Sequence, residues 1–396
     1  MKVVLINNAN FGSTGGICKD IVSYLKAKGV TCEFLFGISS SKKHKGFVFS
    51  IERLFSVLLT KFTGNLYGFM FFSTKRLIKK IKKIKPDVVH LHCLNAYTAN
   101  LKMLFLFLAK EKYRVVVTCH SFFYNTGSCG YPYRSCNQWK KGCQQCPNVA
   151  YACKSYLINN TKNNWKRMKQ NFAQFNNSNL IFTGVSDYVT KVSKISPITS
   201  SYPCVTILNG IDVNTFKFCS NNSSDNSILF ICSDPKNFNK GFDIFLQVVK
   251  LLSKDHFVFH YIGEKDSRLD EFTNVIQHGF LADKKQLADF YSRCSLTLVT
   301  SRNETFSLPV AESLCCGTPV AFLKSGGPES IAINPYAIGF DESDLKLLID
   351  YIKNKKYLSF DKIDISNKAI KKYSNVVMCS NYMELYRGLM NEEINK

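Results

Sequence analysis

The chain has 396 residues, 45% of them hydrophobic, and a formal net charge of +23. That length holds two domains with separate cores, and no run reaches the roughly 18 uninterrupted apolar residues of a membrane-spanning helix. The start, MKVVLINNANFG, is a short apolar run and a polar loop. It does not read as a secretory signal, so the cytoplasm is the expected location. The charge is lopsided: residues 1–215 hold 30 Lys and Arg against 7 Asp and Glu, whereas residues 216–396 hold 22 of each. Its densest part is TKRLIKKIKKIKP, residues 74–86. A basic field in one domain implies an anionic partner: nucleic acid, anionic lipid or a phosphorylated substrate.

In chain order, residues 2–7 predict a buried strand. A Gly-rich loop follows, and Ile17, Ile21, Val22 and Leu25 give residues 17–28 helical spacing. Gly29 ends that helix, and residues 31–36 predict a second strand. Strand, Gly loop, helix and strand in this order begin a parallel α/β sheet. Further strands are expected at VVHLH, at residues 113–119 ending before His120, at 181–185 and at 205–208. A helix is expected at 100–110, and Ser186 is a candidate helix cap. The polar stretch 220–227 reads as a domain joint. The pattern then restarts, with strands at 228–232, 257–262, 277–280 and 296–300 and helices at 242–252 and 287–292. Residues 373–390 have the spacing of a closing helix. The expected class is α/β with two successive domains: 1–215, with a Cys-rich insert at 127–153, and 216–375. Residues 376–396 are expected as a helix crossing back to the first domain.

The stretch SRNETFSLPVAESLCCGTP, residues 301–319, concentrates the chemistry. Glu304 follows a strand, and Glu312 rides the next helix with seven residues between them. A carboxylate can accept from both hydroxyls of a ribose, and open α/β sheets bind ligands at the carboxyl ends of their strands. An exposed loop Glu and a surface helix Glu are the plain alternative. Lys240-Gly241 opens a helix, where a Lys and free backbone amides suit a diphosphate. Gly15 and Gly16 lie where a helix opens after the first strand, and backbone amides there can approach an anion. His120 ends a buried strand, where a structural role is the commoner one. His90 and His92 compete with it.

E-x7-E followed by CGTPV and a GG-P-E turn resembles the donor-site motif of the retaining family 4 glycosyltransferases. The resemblance implies the GT-B fold, two Rossmann-like α/β/α domains facing across a cleft. It further implies that Glu304 contacts the donor sugar, Glu312 binds the nucleotide ribose, and Lys240 with the backbone at Gly326 and Gly327 serves the diphosphate. Gly15 and Gly16 would lie beside the donor phosphates and the acceptor, and His120 would help position the sugar. The family's usual Arg beside that Lys is missing: Asn239 stands there, with Lys236 the closest other cation. The co-substrate implied is a nucleotide-diphospho-sugar, with no cofactor for catalysis.

Cys129-x6-Cys136-x6-Cys143-x2-Cys146 has a spacing that suits a structural, tetrahedral zinc. Free thiols or a redox-sensitive pair are the alternative, and a catalytic metal is not expected because four protein ligands would fill the shell. Similar Cys-rich inserts occur in enzymes resembling the colanic acid glycosyltransferases.

The basic, aromatic segment 42–85 shows no nucleic-acid module. It reads either as an interfacial helix on an anionic membrane surface or as packed helices with a solvated Lys face. The expectation is therefore a retaining, hexosyltransferase-type enzyme of bacterial surface-polysaccharide (lipopolysaccharide) assembly. It would act on a lipid-linked or oligosaccharide acceptor, peripheral on the inner face of the plasma membrane, with no nucleic acid as partner. A sugar-nucleotide epimerase on the same fold, or a non-enzymatic basic membrane- or nucleic-acid-binding protein, are the other readings.

Overall fold

A computed structural model of the chain describes residues 1–41, 44–94, 97–132, 136–219 and 225–391. Most of the expected joint, residues 220–224, and the end of the closing segment, 392–396, lie outside the described residues. The chain divides into two compact units, Met1–Ile207 with Cys379–Lys396, and Leu208–Met378.

The first unit is built on a parallel six-stranded sheet of β1 (Lys2–Ala9), β2 (Thr31–Ile38), β3 (Val88–Leu91), β4 (Arg114–Cys119), β5 (Leu180–Gly184) and β6 (Cys204–Thr206). Their order is β2-β1-β3-β4-β5-β6. β3 is buried at every position, as a central strand covered on both faces must be. The second unit has β7 (Ser227–Cys232), β8 (Val258–Gly263), β9 (Val275–Gly279), β10 (Leu296–Val299), β11 (Val320–Leu323) and β12 (Ala337–Phe340), ordered β12-β11-β10-β7-β8-β9. This is the doubly wound order in which the chain reverses direction across the sheet between its first and fourth strands, here β7 and β10. Its core is strongly aromatic: the rings of Phe230 and Phe245 stack at 3.9 Å, and Phe242 and Tyr261 pack with them.

Some boundaries differ from expectation for identifiable reasons. The first unit ends at Ile207, not at residue 215, because the next segment is tied into the second: Ile211 N–H donates to the Tyr373 carbonyl at 2.7 Å and Asn375 N–H donates to the Ile211 carbonyl at 2.9 Å. The first helix, Gly12–Ala27, begins inside the glycine stretch, so Gly15 and Gly16 lie in its first turns and not in a loop. β11, β12 and the helices Thr161–Phe172, Leu345–Asn354 and Lys362–Tyr373 had no expectation. β11 and β12 are four-residue strands, too short to show a period. The closing helix Asn375–Asn391 buries Met378, Cys379, Tyr382 and Tyr386 along one side, and from Cys379 onward it belongs with the first unit. Among the described residues no helix is long and apolar enough to cross a membrane.

Candidate active site

In the second unit the loops that leave β7 and β10 meet at the reversal point of the sheet. Gly241 shows how closely. It has φ +63°, and a Cβ there would lie 1.8 Å from the Thr300 carbonyl oxygen, so only glycine fits. The Thr300 hydroxyl donates to the Gly241 carbonyl at 2.8 Å, and the Asn303 amide donates to the Asn239 side chain at 2.8 Å. This seam brings Lys240 to Glu304: Nζ donates to Oε1 at 3.0 Å. Burial opposes the Lys240 charge, but Glu304 outweighs it, and the ammonium pKa is raised. A cation held charged by one carboxylate, just before helix Phe242–Leu251, is a place for a phosphate. The first-turn amides of that helix are already engaged: the Asp243 carboxylate accepts from its own and the Ile244 backbone N–H, and Ile244 and Phe245 N–H donate to the Gly241 carbonyl at 3.1 and 3.2 Å, so the cation that faces a phosphate here is Lys240.

Glu304 is fixed from the other side by the glycine turn. It forms an isolated parallel bridge with Gly326, and Gly327 N–H donates to its carbonyl at 3.0 Å. A Cβ on Gly327 would stand 2.6 Å from the Phe306 nitrogen. Gly326 N–H donates to its own loop's Glu329 at 2.8 Å. The two amides expected to serve a diphosphate are thus already engaged: that of Gly326 closes its own turn on Glu329, and that of Gly327 holds the Glu304 segment.

Glu312 lies on helix Leu308–Cys315, which opens with Pro309 near its start. The Tyr291 hydroxyl donates to its Oε2 at 3.1 Å. Burial raises its pKa from 4.5 to about 7, against the lowering effect of the Tyr291 hydrogen bond and Lys284. A half-buried carboxylate with one donor on it has capacity left for two ligand hydroxyls.

Sequence reasoning missed Arg302. Its guanidinium stands over the Phe238 ring at 4.1 Å and pairs with Asp243 and Glu342, each at 2.7 Å. The hydrogen bonds it donates to those carboxylates, Asp243 foremost, raise its pKa further. With both carboxylates engaged, Arg302 braces the loop and does not substitute for the missing Arg beside Lys240. The SRNE tetrapeptide was the only signal, and its partners lie about 40 and 60 residues away.

In the first unit the candidate groups gather at the carboxyl ends of β1, β3 and β4. The three histidines do not compete but form one stack. His90 bonds through Nδ1 to the Tyr386 hydroxyl and through Nε2 to Thr118, both at 2.6 Å, which makes it structural. His92 Nδ1 meets His120 Nε2 at 2.9 Å. Burial holds His120 down at about 4, and burial together with the neighbouring imidazoles lowers His90 and His92 as well. The stack is neutral, and His92 Nε2 is buried with no hydrogen-bond partner among the described residues. Beside it, Asn7 accepts from Cys93 N–H at 3.0 Å and donates to the Thr14 hydroxyl at 3.2 Å. This ties the end of β3 to the first turn of helix Gly12–Ala27, which carries no side-chain cap. Gly15 is required, since a Cβ would lie 2.7 Å from the Asn10 carbonyl carbon, whereas Gly16 faces open space.

Cys129, Cys136, Cys143 and Cys146 line one small cavity with Trp139 and Thr161. Burial and the neighbouring thiols raise the pKa of Cys129, and Cys143 is pushed up to about 12 by the same causes. The four are the right donor set for zinc. Yet among the described residues no three His, Cys, Asp or Glu side chains converge closely enough to hold a metal ion. Neutral thiols repay no such approach; a metal would have to displace their protons and draw them in.

Both units have recognised relatives. Residues 17–169 match the Glycosyltransferase Family 4 model and residues 225–353 the model of Glycosyl transferases group 1. The chain is a glycosyltransferase of GT-B fold, with a family 4 domain followed by a group 1 domain. It is 22% identical over 409 aligned positions to the putative colanic acid biosynthesis glycosyl transferase WcaC of Escherichia coli K12, covering 96% of this chain and 97% of that one. In fold it resembles sucrose-phosphate synthase from Thermosynechococcus elongatus, with a TM-score of 0.67 at 12% identity over 99% of this chain and all of that one. It likewise resembles HepE of Anabaena, solved with UDP and glucose, with a TM-score of 0.60 at 13% identity over 98% of this chain and all of that one.

Proposed function

We propose that the chain transfers a sugar, with retention, from a nucleotide-diphospho-sugar to a saccharide acceptor in bacterial surface-polysaccharide assembly. The observation that carries the donor half is the Lys240–Glu304 pair at the β7/β10 reversal point, at 3.0 Å. Lys240 stabilises the negative charge that develops as the nucleoside diphosphate leaves. Glu312 accepts from the ribose hydroxyls. Glu304 and His120 position the sugar, and His120 does so as a neutral imidazole. Helix Gly12–Ala27, open at Gly16, offers the first unit's own anion-binding end. No metal is needed for the charge this accounts for. The UDP bound to HepE favours a nucleotide donor, and the colanic acid relative favours a polysaccharide acceptor, which we take to be lipid-linked at the cytoplasmic membrane face.

A thermal-shift screen against UDP-, GDP- and other sugar nucleotides tests the donor half. Stabilisation by one class is expected; none by any, with folded protein, overturns it. Product mass spectrometry with lipid extracts then identifies the acceptor, and the anomeric signal by NMR decides retention.

For the insert we propose a structural zinc, supported by the Cys spacing and the shared cavity. About one zinc per chain is expected in protein prepared without chelators, with a lower melting temperature after chelation. Far less than one per chain refutes it.

A further inference from the structure

Helix Ser50–Thr63 is inside out. The residues it buries are Ser56 and Thr60, while Ile51, Leu54, Phe55 and Leu58 are 73%, 71%, 59% and 51% exposed. A surface helix ordinarily turns its apolar stripe to the core. Three polar anchors prevent that rotation here. The Glu52 carboxylate accepts from Phe72 N–H and Ser73 N–H, both at 2.7 Å, and so caps the next helix, Phe71–Ile84. The Ser56 hydroxyl bonds to the Met70 sulfur at 3.0 Å and the Thr60 hydroxyl to the Asn65 carbonyl at 3.0 Å. The orientation is thus specified, and the apolar face is presented outward.

The face continues at both ends. Phe72, in the first turn of the next helix, is 68% exposed. At the other end, Asn160 donates to the Thr63 carbonyl at 3.2 Å, and just before it Tyr156 and Leu157 are 86% and 74% exposed. Contiguous apolar surface of this kind marks an interaction site. Its surroundings say with what. The two helices together carry eight Lys and Arg against one acid, Glu52, and that acid is spent on the cap. Arg53, Lys61, Lys75 and Lys79 are exposed.

We propose that this face docks on an anionic lipid bilayer, with Leu54, Phe55 and Leu58 at the acyl boundary and the cations among the headgroup phosphates. A second copy of the chain is disfavoured as the occupant, since it would bring the same cations against this surface. Nucleic acid would leave the apolar stripe uncovered. The proposal deepens the lipid-borne acceptor reading but owes nothing to the donor chemistry, so the two fail separately.

The test is flotation of the full chain, without sugar substrates, on vesicles of phosphatidylglycerol with phosphatidylethanolamine and on vesicles of phosphatidylcholine alone. Wild type is expected to float with the anionic vesicles and to be released by salt. Leu54→Glu/Leu58→Glu is expected to lose binding by at least about tenfold, and the milder Ile51→Ser/Phe55→Ser by less. Both are at exposed positions and should keep the wild-type melting temperature and its shift with nucleotide sugar. Wild type that stays in solution, variants that float like wild type, or a lipid-free dimer that the Glu pair dissociates would each overturn the proposal.

Discussion

Two helices of similar amphipathic pattern are used in opposite ways. Phe242–Leu251 in the second unit buries its apolar stripe, with Phe245 stacked on Phe230, and its N-terminus comes to rest against the Lys240–Glu304 pair. Ser50–Thr63 in the first unit is held by its polar side and turns its apolar stripe outward. The first therefore positions chemistry, because a packed helix cannot drift. The second presents a surface, because nothing among the described residues of its own unit covers it. Periodicity specifies the stripe; the anchors specify its direction.

The comparison is sharpest in stability. Phe245→Ala is expected to cost about 3–5 kcal/mol, whereas Leu54→Ala should stay within about 0.5 kcal/mol. Chemical denaturation of both variants checks this, and comparable losses would mean that the first-unit helix is packed after all.

Lys240→Ala tests the helix that carries the site. It should lower kcat/KM by about a hundred- to a thousandfold, about 3–4 kcal/mol of transition-state stabilisation, with little loss of fold. Steady-state transfer kinetics read it. An unchanged kcat/KM would leave the buried helix without its assigned purpose.

Glu312 adds a pH signature. The folded chain retains at Glu312 a proton that the unfolded chain releases as pH rises from 4.5 towards about 7. The carboxyl therefore costs stability increasingly through that window, and the cost is complete above it. Glu312→Gln should stabilise the ligand-free chain by at most ~3 kcal/mol at about pH 8 and make no difference near pH 4. Nucleotide affinity should fall in the wild type as pH drops below about 7 and be weak and flat in the variant. Melting temperature and calorimetric titration across pH check both.

A modest loss is expected from Arg302→Ala. Its carboxylate partners Asp243 and Glu342 are half-exposed, so solvent screening limits the loss to about 1–2 kcal/mol. A larger KM for the donor than for wild type would show that the brace reaches Lys240.

Much of the second unit was legible because its signals are local. β7, β8 and β10, the helix after Gly241 and the spacing of Glu304 and Glu312 all follow from runs of a few residues. The engagement of Gly326 and Gly327 was not legible, because Glu329 and the Glu304 carbonyl take their N–H groups only once the turn has closed. His90, His92 and His120 looked like rivals, because pairing of β3 with β4 is what stacks them. Arg302 was invisible as a brace, since Asp243 and Glu342 reach it through the sheet.

By itself the sequence determined two α/β units, the residue types we propose hold a nucleotide-diphospho-sugar, and the concentration of positive charge in the first half. These rest on hydrophobic period, glycine chemistry and net charge, which are properties of short windows or of simple sums. Tertiary structure alone decided that Lys240 meets Glu304, that Tyr386 of the closing helix secures His90, and that helix Ser50–Thr63 faces outward. Each depends on contacts between separate segments; for the helix, the three anchors at Glu52, Ser56 and Thr60 hold its polar side inward against the tendency of an apolar stripe to turn to the core.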